Sequence, residues 1–68
     1  MKPGDVVTFL LGKEPNRKTA SGPLVKVNLR TVAVRFDNTV IMRKVRRDLG
    51  LTREQILDHE EQWKAANV

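Results

Sequence analysis

The stretch of sequence that decides the fold is residues 22–48, which read GPLVKVNLRTVAVRFDNTVIMRKVRRD. Apolar and polar residues alternate along three short runs in this stretch, and turn-forming residues separate the runs. A period of two is typical of strands that have one buried face and one wet face. The pattern therefore predicts three consecutive antiparallel strands, and the last of them leads into a basic cluster.

The first two of these strands have the clearer alternation. In the first, the residues predicted to face the core are Val25, Val27 and Leu29, with Lys26 and Asn28 outside. In the second, the predicted inward residues are Val32, Val34 and Phe36, with Thr31, Ala33 and Arg35 outside. A connection at residues 28–30 joins the two strands as a hairpin.

The third strand, residues 39–45, follows the pair Asp37-Asn38, whose side chains tolerate the left-handed backbone of a tight turn. Two inward sets are open for it, Val40 with Met42 or Ile41 with Val45. The second set would also turn Arg43 inward, so the first is favoured. A β-bulge would make both partly true.

An earlier strand is predicted after the turn signal Pro3-Gly4-Asp5, and its inward residues are expected to be Val7, Phe9 and Leu11. Residues 12–21 are polar and rich in breakers, which predicts an exposed, mobile loop of about ten residues.

The C-terminal part of the chain predicts a helix from about Arg53 to Ala66. Thr52 and Gln55 have the spacing of a capping box, in which each side chain bonds the other residue's backbone amide. Leu51 and Ile56 flank the cap as a hydrophobic staple would. Ile56 and Trp63 fall on one face, which is expected to dock on the sheet, whereas His59 is expected at the surface.

Composition limits the class of protein. A chain of 68 residues makes one domain near the lower size limit for a self-sufficient core. It has no cysteine, which suits a reducing cytoplasm, and no apolar run near the roughly 20 residues of a membrane span. The start of the chain does not resemble a signal peptide, so we expect a soluble cytoplasmic protein.

Charge is distributed unevenly along the chain. Residues 1–50 hold eleven Lys and Arg against four Asp and Glu, a net charge of +7, and residues 51–68 hold two against four, a net charge of −2. Basic domains of this kind attract phosphates, anionic surfaces or acidic proteins.

Three segments together resemble the SH3-like small barrels, the broad group that contains KOW and Tudor-type domains. They are PGDVVTF at residues 3–9, GPLVKVN at residues 22–28 and TVAVRFDN at residues 31–38. The resemblance covers residues 3–48 and implies a mainly β fold, a strongly bent barrel of about five strands with a long first loop. Residues 1–50 would form the barrel and residues 51–68 the helix, in a single domain. The group binds both nucleic acids and peptides, and a fold does not by itself assign an activity.

The basic run at residues 43–47 is the sharpest candidate site, because Arg can give a phosphate two hydrogen bonds. Extended, it would lie beside Arg35 with its charges wet and gathered on one side, and cations of the mobile loop would close over the ligand. The predicted nucleic-acid-binding residues are Lys13, Arg17, Lys18, Arg35, Arg43, Lys44, Arg46 and Arg47. An edge strand whose charges prevent pairing with another chain explains the run equally well. The net charge of +7 favours DNA or RNA as the partner, held mainly by backbone contacts.

The alternative is a protein-interaction module, an adaptor or a self-associating chain, which would use a barrel edge or the Ile56 and Trp63 face. No nucleophile, phosphate loop or ligand cluster is visible in the sequence. We therefore expect a binding protein that is not an enzyme and has no metal or cofactor.

Overall fold

The computed structural model of the chain describes residues 1–13 and 15–67. Glu14 of the predicted loop and Val68 at the end of the predicted helical segment lie outside these residues. The elements are β1 (Val6–Leu11), β2 (Lys18–Val27), β3 (Thr31–Phe36), β4 (Thr39–Lys44), α1 (Val45–Asp48) and α2 (Arg53–Ala66). The fold is mainly β, as the alternation predicts, with a helix at its C-terminal end.

The strands form one antiparallel sheet in the order β1-β2-β3-β4. Residues 1–13 and 15–67 form four strands in an open sheet, and they do not show the barrel of about five strands that the sequence predicts. After Lys44 the chain leaves the sheet and makes the short helix α1. Residues 45–47 are therefore helical, and the predicted extended run ends two residues into the basic cluster.

The strand β2 begins earlier than predicted. Residues 18–21 were expected in a mobile loop, but they pair with β1 from Leu11 opposite Lys18 to Thr8 opposite Ser21. The later half of β2 pairs with β3. One strand thus belongs to two ladders, and the connection between β1 and β2 shortens to residues 12–17.

Gly22 lies at the point where β2 passes from one ladder to the other. A Cβ atom on Gly22 would stand 2.2 Å from the carbonyl oxygen of Arg35. That distance is far inside van der Waals contact, so β2 and β3 can approach this closely only where the side chain is missing.

A β-bulge in β2 overturns the predicted inward set of that strand. Leu24 pairs with Val34 and Lys26 pairs with Ala33, so two residues of β2 oppose one step of β3. Leu24 is consequently buried at 3 % exposure, whereas Val25 is 41 % exposed. Val27 is half-buried and stays on the core side.

The hairpin of β3 and β4 closes through Asp37 and Asn38, which have φ angles of 50° and 63°. This confirms the predicted tight turn. The turn aligns Ile41 with Val34 and leaves Val40 and Met42 each 51 % exposed. The favoured inward set was therefore wrong, and the set containing Ile41 and Val45 faces the core.

The core lies on one side of the sheet. Its buried members are Phe9, Leu24, Val32, Val34, Val45 and Leu49. The rings of Phe9 and Phe36 meet edge to face with centroids 6.0 Å apart. The alternation predicted for β1 and for the core side of β3 is confirmed, although Ala33 on the opposite side is also buried.

The helix α2 has the bounds that the sequence predicts and the predicted capping box. The Thr52 hydroxyl accepts a hydrogen bond from the Gln55 amide at 3.1 Å, and the Gln55 side chain accepts one from the Thr52 amide at 2.9 Å. The buried and half-buried residues of α2 are Ile56, His59, Glu60 and Trp63, which share one face.

This face docks on the connection between β2 and β3. His59 is buried, not at the surface as predicted, and its Nε2 lies 3.0 Å from the Asn28 carbonyl oxygen and 3.1 Å from that of Leu29. Because both oxygens only accept, Nε2 carries the proton and donates. Trp63 is half-buried, and its Nε1 donates to the Val27 carbonyl oxygen at 3.4 Å. Within the described ranges, neither helix has the length and apolar character needed to cross a membrane.

Candidate functional site

A basic groove lies where β4 ends, beside the connection between β2 and β3. Its volume is about 240 Å³. The residues that line it are Arg30, Thr31, Lys44, Arg46 and Arg47. Four cationic residues and one threonine thus line a single open groove, which we call the basic groove.

Backbone pairing places the five residues together. Thr31 and Lys44 are opposite each other at the end of the β3–β4 ladder. The amide of Val45 donates to the Arg30 carbonyl oxygen at 3.0 Å, which holds the start of α1 against the connection. Val45 itself is fully buried, so the helical turn turns Arg46 and Arg47 towards solvent.

Arg46 is held by a carboxylate of α2. Its Nε lies 2.9 Å from Glu60 Oε2, and its Nη2 lies 2.9 Å and 2.7 Å from Oε1 and Oε2. The hydrogen bonds from Arg46 lower the pKa of the Glu60 carboxyl despite its partial burial, and the nearby charges of Lys64 and Arg30 act in the same direction. The pair corrects the expectation that the arginines stay free in solvent. Nη1 of Arg46 makes no hydrogen bond within the described residues and the side chain stays 59 % exposed.

Arg47 is oriented by Asp48. Asp48 is buried, and its two oxygens accept from the Lys44 amide at 3.0 Å and from Arg47 Nε at 3.2 Å. Burial raises the pKa of Asp48, but these hydrogen bonds and the charges of Arg47 and Arg43 outweigh it, so the pKa is lowered. A charged Asp48 therefore fixes the base of Arg47, whose side chain remains 58 % exposed.

The structure brings together only part of the predicted site. Lys44, Arg46 and Arg47 line the groove, and Arg35 lies further along the same outer face of the sheet. Arg43 faces the other way, opposite Val32 in the ladder, and its Nη1 donates to the Met42 carbonyl oxygen at 2.7 Å.

The loop cations lie at the other end of β2. Lys18 opens this strand, whereas Val27 ends it and pairs with Val32, the neighbour of Thr31 in the groove. A straight strand of ten residues spans roughly 30 Å, and bending shortens that distance only in part. Lys13, Arg17 and Lys18 are not among the residues that line the basic groove, so the structure does not bring them together with Lys44, Arg46 and Arg47.

Arg30 is the groove residue that the sequence analysis missed. A signal for it was present in the sequence. The two-residue turn at Asp37-Asn38 sets Phe36 opposite Thr39, and counting back places Thr31 opposite Lys44. Arg30 precedes Thr31, so this register alone places Arg30 beside the end of β4.

The Ile56 and Trp63 face, one of the two surfaces of the alternative prediction, is occupied within the chain. Ile56 packs against the hydrophobic core, and Trp63 contacts the end of β2. A groove of about 300 Å³ between the first three residues and α2 has His59 and Trp63 in its wall. In the described part of the chain, no three His, Asp or Glu side chains are grouped as a metal site requires.

Comparison of the chain with protein-family models, with curated proteins and with solved structures gave no match in any of the three.

Proposed function

We propose that this chain is a small non-enzymatic binding protein of the cytoplasm whose basic groove holds backbone phosphates of DNA or RNA. The observation that carries the proposal is that Arg30, Lys44, Arg46 and Arg47 line one groove together with Thr31. Phosphate oxygens are bound in proteins by just these groups, guanidinium, ammonium and hydroxyl.

Charge balance supports an anionic ligand. Among the described residues, two carboxylates, Glu60 and Asp48, contact the groove's cations, so these leave two of the four positive charges unmatched. Each arginine pair also leaves N–H groups unused. Glu60 takes Nε and Nη2 of Arg46, and Asp48 takes only Nε of Arg47. A phosphate would use the remaining donors without breaking either pair, and the carboxylates hold both guanidinium groups in position for it.

The aromatic residues support contacts to the backbone and not to the bases. Phe9 is buried, and Phe36 and Trp63 are half-buried with Trp63 bonded to β2. Single-strand binders stack bases on exposed rings. Binding through the basic groove should therefore depend strongly on salt and weakly on sequence.

The resemblance to SH3-like barrels remains part of the proposal. A strand shared between two ladders, as β2 is between β1 and β3, supports a bent sheet of that kind. The four strands would then be an open form of the barrel, in which the chain continues into α2 and adds no further strand to the sheet.

A second proposed function, a protein-interaction module, is favoured by a separate observation. Val40 and Met42 leave apolar side chains exposed on the outer face of the sheet. Such exposure is more useful for contact with a polypeptide than with phosphates.

A titration of labelled duplex DNA, duplex RNA and single strands at several salt concentrations tests the nucleic-acid proposal. The variant is Arg30→Ala with Arg47→Ala, and the matched control is Lys13→Ala with Lys18→Ala, which removes the same charge at the other end of β2. Four phosphate contacts predict a slope of log affinity against log salt of about −3. The groove variant should lose more than tenfold in affinity and about two units of slope, and the control about twofold in affinity.

Two results would contradict the proposal. Affinity unchanged in the groove variant would remove the groove from the binding surface. Equal losses in the groove variant and its control would mean that total charge, and not this site, holds the ligand. Circular dichroism of both variants confirms that the fold is retained, since Arg30 and Arg47 are exposed.

A further inference from the structure

The outer face of the sheet, on the side away from the core, carries an apolar centre. Val40 and Met42 of β4 are each 51 % exposed, and Val25 at the bulge is 41 % exposed. Ala33 lies between β2 and β4 on this face, opposite Met42. These four residues form the apolar centre, and three of them keep about half of their surface exposed to solvent.

Cations surround this centre. Residues that are paired across a ladder share a face. Lys26 is paired with Ala33, Arg35 with Val40, and Lys44 with Thr31. Lys26, Arg35 and Lys44 are exposed, and none has a carboxylate within salt-bridge distance among the described residues. We call the apolar centre with these three cations the sheet face.

The helix α2 offers the complementary surface. Glu54, Asp58 and Glu61 follow one another at spacings of four and three residues, so they form a line along one side of the helix. This line is opposite His59 and Trp63, which dock the helix, and its three carboxylates are exposed. We call the line the acidic ridge. Leu57, 51 % exposed, lies beside it.

We propose that the sheet face of one copy binds the acidic ridge of a second copy. The signs of charge are complementary, three cations against three carboxylates, and the lengths agree. The seven helical steps from Glu54 to Glu61 span about 10 Å. The four ladder steps from Arg35 to Thr31, opposite Lys44, span about 13 Å. Leu57 then meets the apolar centre.

The geometry excludes contact between the two surfaces within one chain. The helix is fixed by its opposite side to the Val27–Leu29 backbone, so its own ridge faces away from the sheet. Because the two surfaces differ, the contact is heterologous, and a bound pair of copies still presents one free sheet face and one free acidic ridge. Short head-to-tail chains form, and the small contact area makes each contact weak and salt-sensitive.

Sedimentation velocity at rising protein concentration tests the proposal, with nucleic acid removed beforehand and verified by absorbance. The average mass of the unmodified protein should rise with concentration at low salt and return to that of a monomer at high salt. A sheet-face variant, Arg35→Glu with Met42→Asp, and a ridge variant, Asp58→Lys with Glu61→Lys, should each remain monomeric. Neither variant substitutes a residue that lines the basic groove, so each affects that groove only through the electrostatic potential of distant charges.

The mixture of the two variants gives the sharpest outcome. The sheet-face variant keeps its ridge and the ridge variant keeps its sheet face, so an equimolar mixture should form dimers and nothing larger. A control, Val6→Asp, changes another apolar residue that is 72 % exposed, on the distant strand β1, and should assemble like the unmodified protein.

Three outcomes would overturn the proposal. They are a monomeric unmodified protein at every concentration, undiminished assembly of the variants, and failure of the mixture to form dimers. The last result would also indicate an isologous contact if each variant alone had lost assembly.

Discussion

The two ends of the sheet are equally basic in sequence and very different in structure. One end carries the connection between β1 and β2, and we call it the hairpin end. Its cations are Lys13 and Arg17 in that connection and Lys18 in the first residue pair of β2. At the groove end, β3, β4, α1 and α2 all contribute contacts, and Arg46 and Arg47 are fixed by carboxylates. Both ends supply similar numbers of cations. The difference between them therefore shows that a cationic site also depends on the carboxylates and backbone contacts that orient its side chains.

The largest expected effect comes from a substitution at Gly22, which lies between the two ends of β2. Gly22→Ala places a methyl group against the Arg35 carbonyl oxygen, and the backbone must move. We expect a loss of about 3 kcal/mol in the free energy of unfolding, a large share of the stability of so small a domain. Urea unfolding measures it. Ser21→Ala, an exposed neighbour, is the control and should change stability by less than about 0.5 kcal/mol. Equal stability of the two variants would mean that the close approach at Gly22 is not required.

The next effect should appear at the groove end alone. His59→Ala removes the donor to two carbonyl oxygens of the connection, which predicts a loss of about 2 kcal/mol. Amide hydrogen exchange should accelerate at Asn28 and in the first turns of α2, but not at Thr19 or Ala20. Acceleration spread evenly over both ends would show that α2 supports the whole sheet and not this end.

Acid should also act on the groove end first. The pKa values of Glu60 and Asp48 are lowered from the ordinary values of 4.5 and 3.8. Each ionised carboxylate therefore stabilises the fold at a pH above that ordinary pKa. That contribution is lost as the pH falls through the lowered value. The free energy of unfolding should be flat near neutral pH and decline below about pH 4.5.

Two variants separate the carboxylates in this acid range. Glu60→Gln should flatten the earlier part of the decline and Asp48→Asn the later part, as measured by urea unfolding across pH. If the free energy of unfolding of both variants declined with pH as it does in the unmodified protein, other carboxyl groups would be responsible for the loss of stability in acid.

The smallest effect is expected at the hairpin end. Lys18→Gln removes an exposed charge that has no fixed partner among the described residues. The free energy of unfolding should stay within about 0.5 kcal/mol of the original, and affinity for nucleic acid should fall about twofold at most. A loss as large as that of the groove variant would erase the distinction between the two ends.

Local patterns in the sequence were sufficient for much of the fold. Alternation identified the core side of β3, the pair Asp37-Asn38 supplied its turn, and the capping box at Thr52 fixed the start of α2. Each of these features depends on residues within a few positions of one another, which is why the sequence shows them directly.

The features that were missed depend on contacts distant in sequence. The bulge at Val25 appears where β2 pairs with β3, and residues 18–21 are a strand because β1 pairs with them. His59 is buried because carbonyl oxygens some thirty positions away need a donor.

The basic groove was half predicted for the same reason. Lys44, Arg46 and Arg47 are neighbours in sequence, whereas Arg30 joins them through the register of a hairpin. The pairing of Arg46 with Glu60 crosses fourteen positions and needs the docked helix. Charge counts alone could not separate these residues from Arg43, which points to the other side.

The membership of β2 in both ladders has a consequence for how the sheet comes apart. If the hairpin with β1 opens, the same strand loses the support that positions it against β3, and the reverse holds equally. The sheet is open at its edges, yet it should melt in a single all-or-none step, because no half of it keeps a complete set of partners after the other has gone.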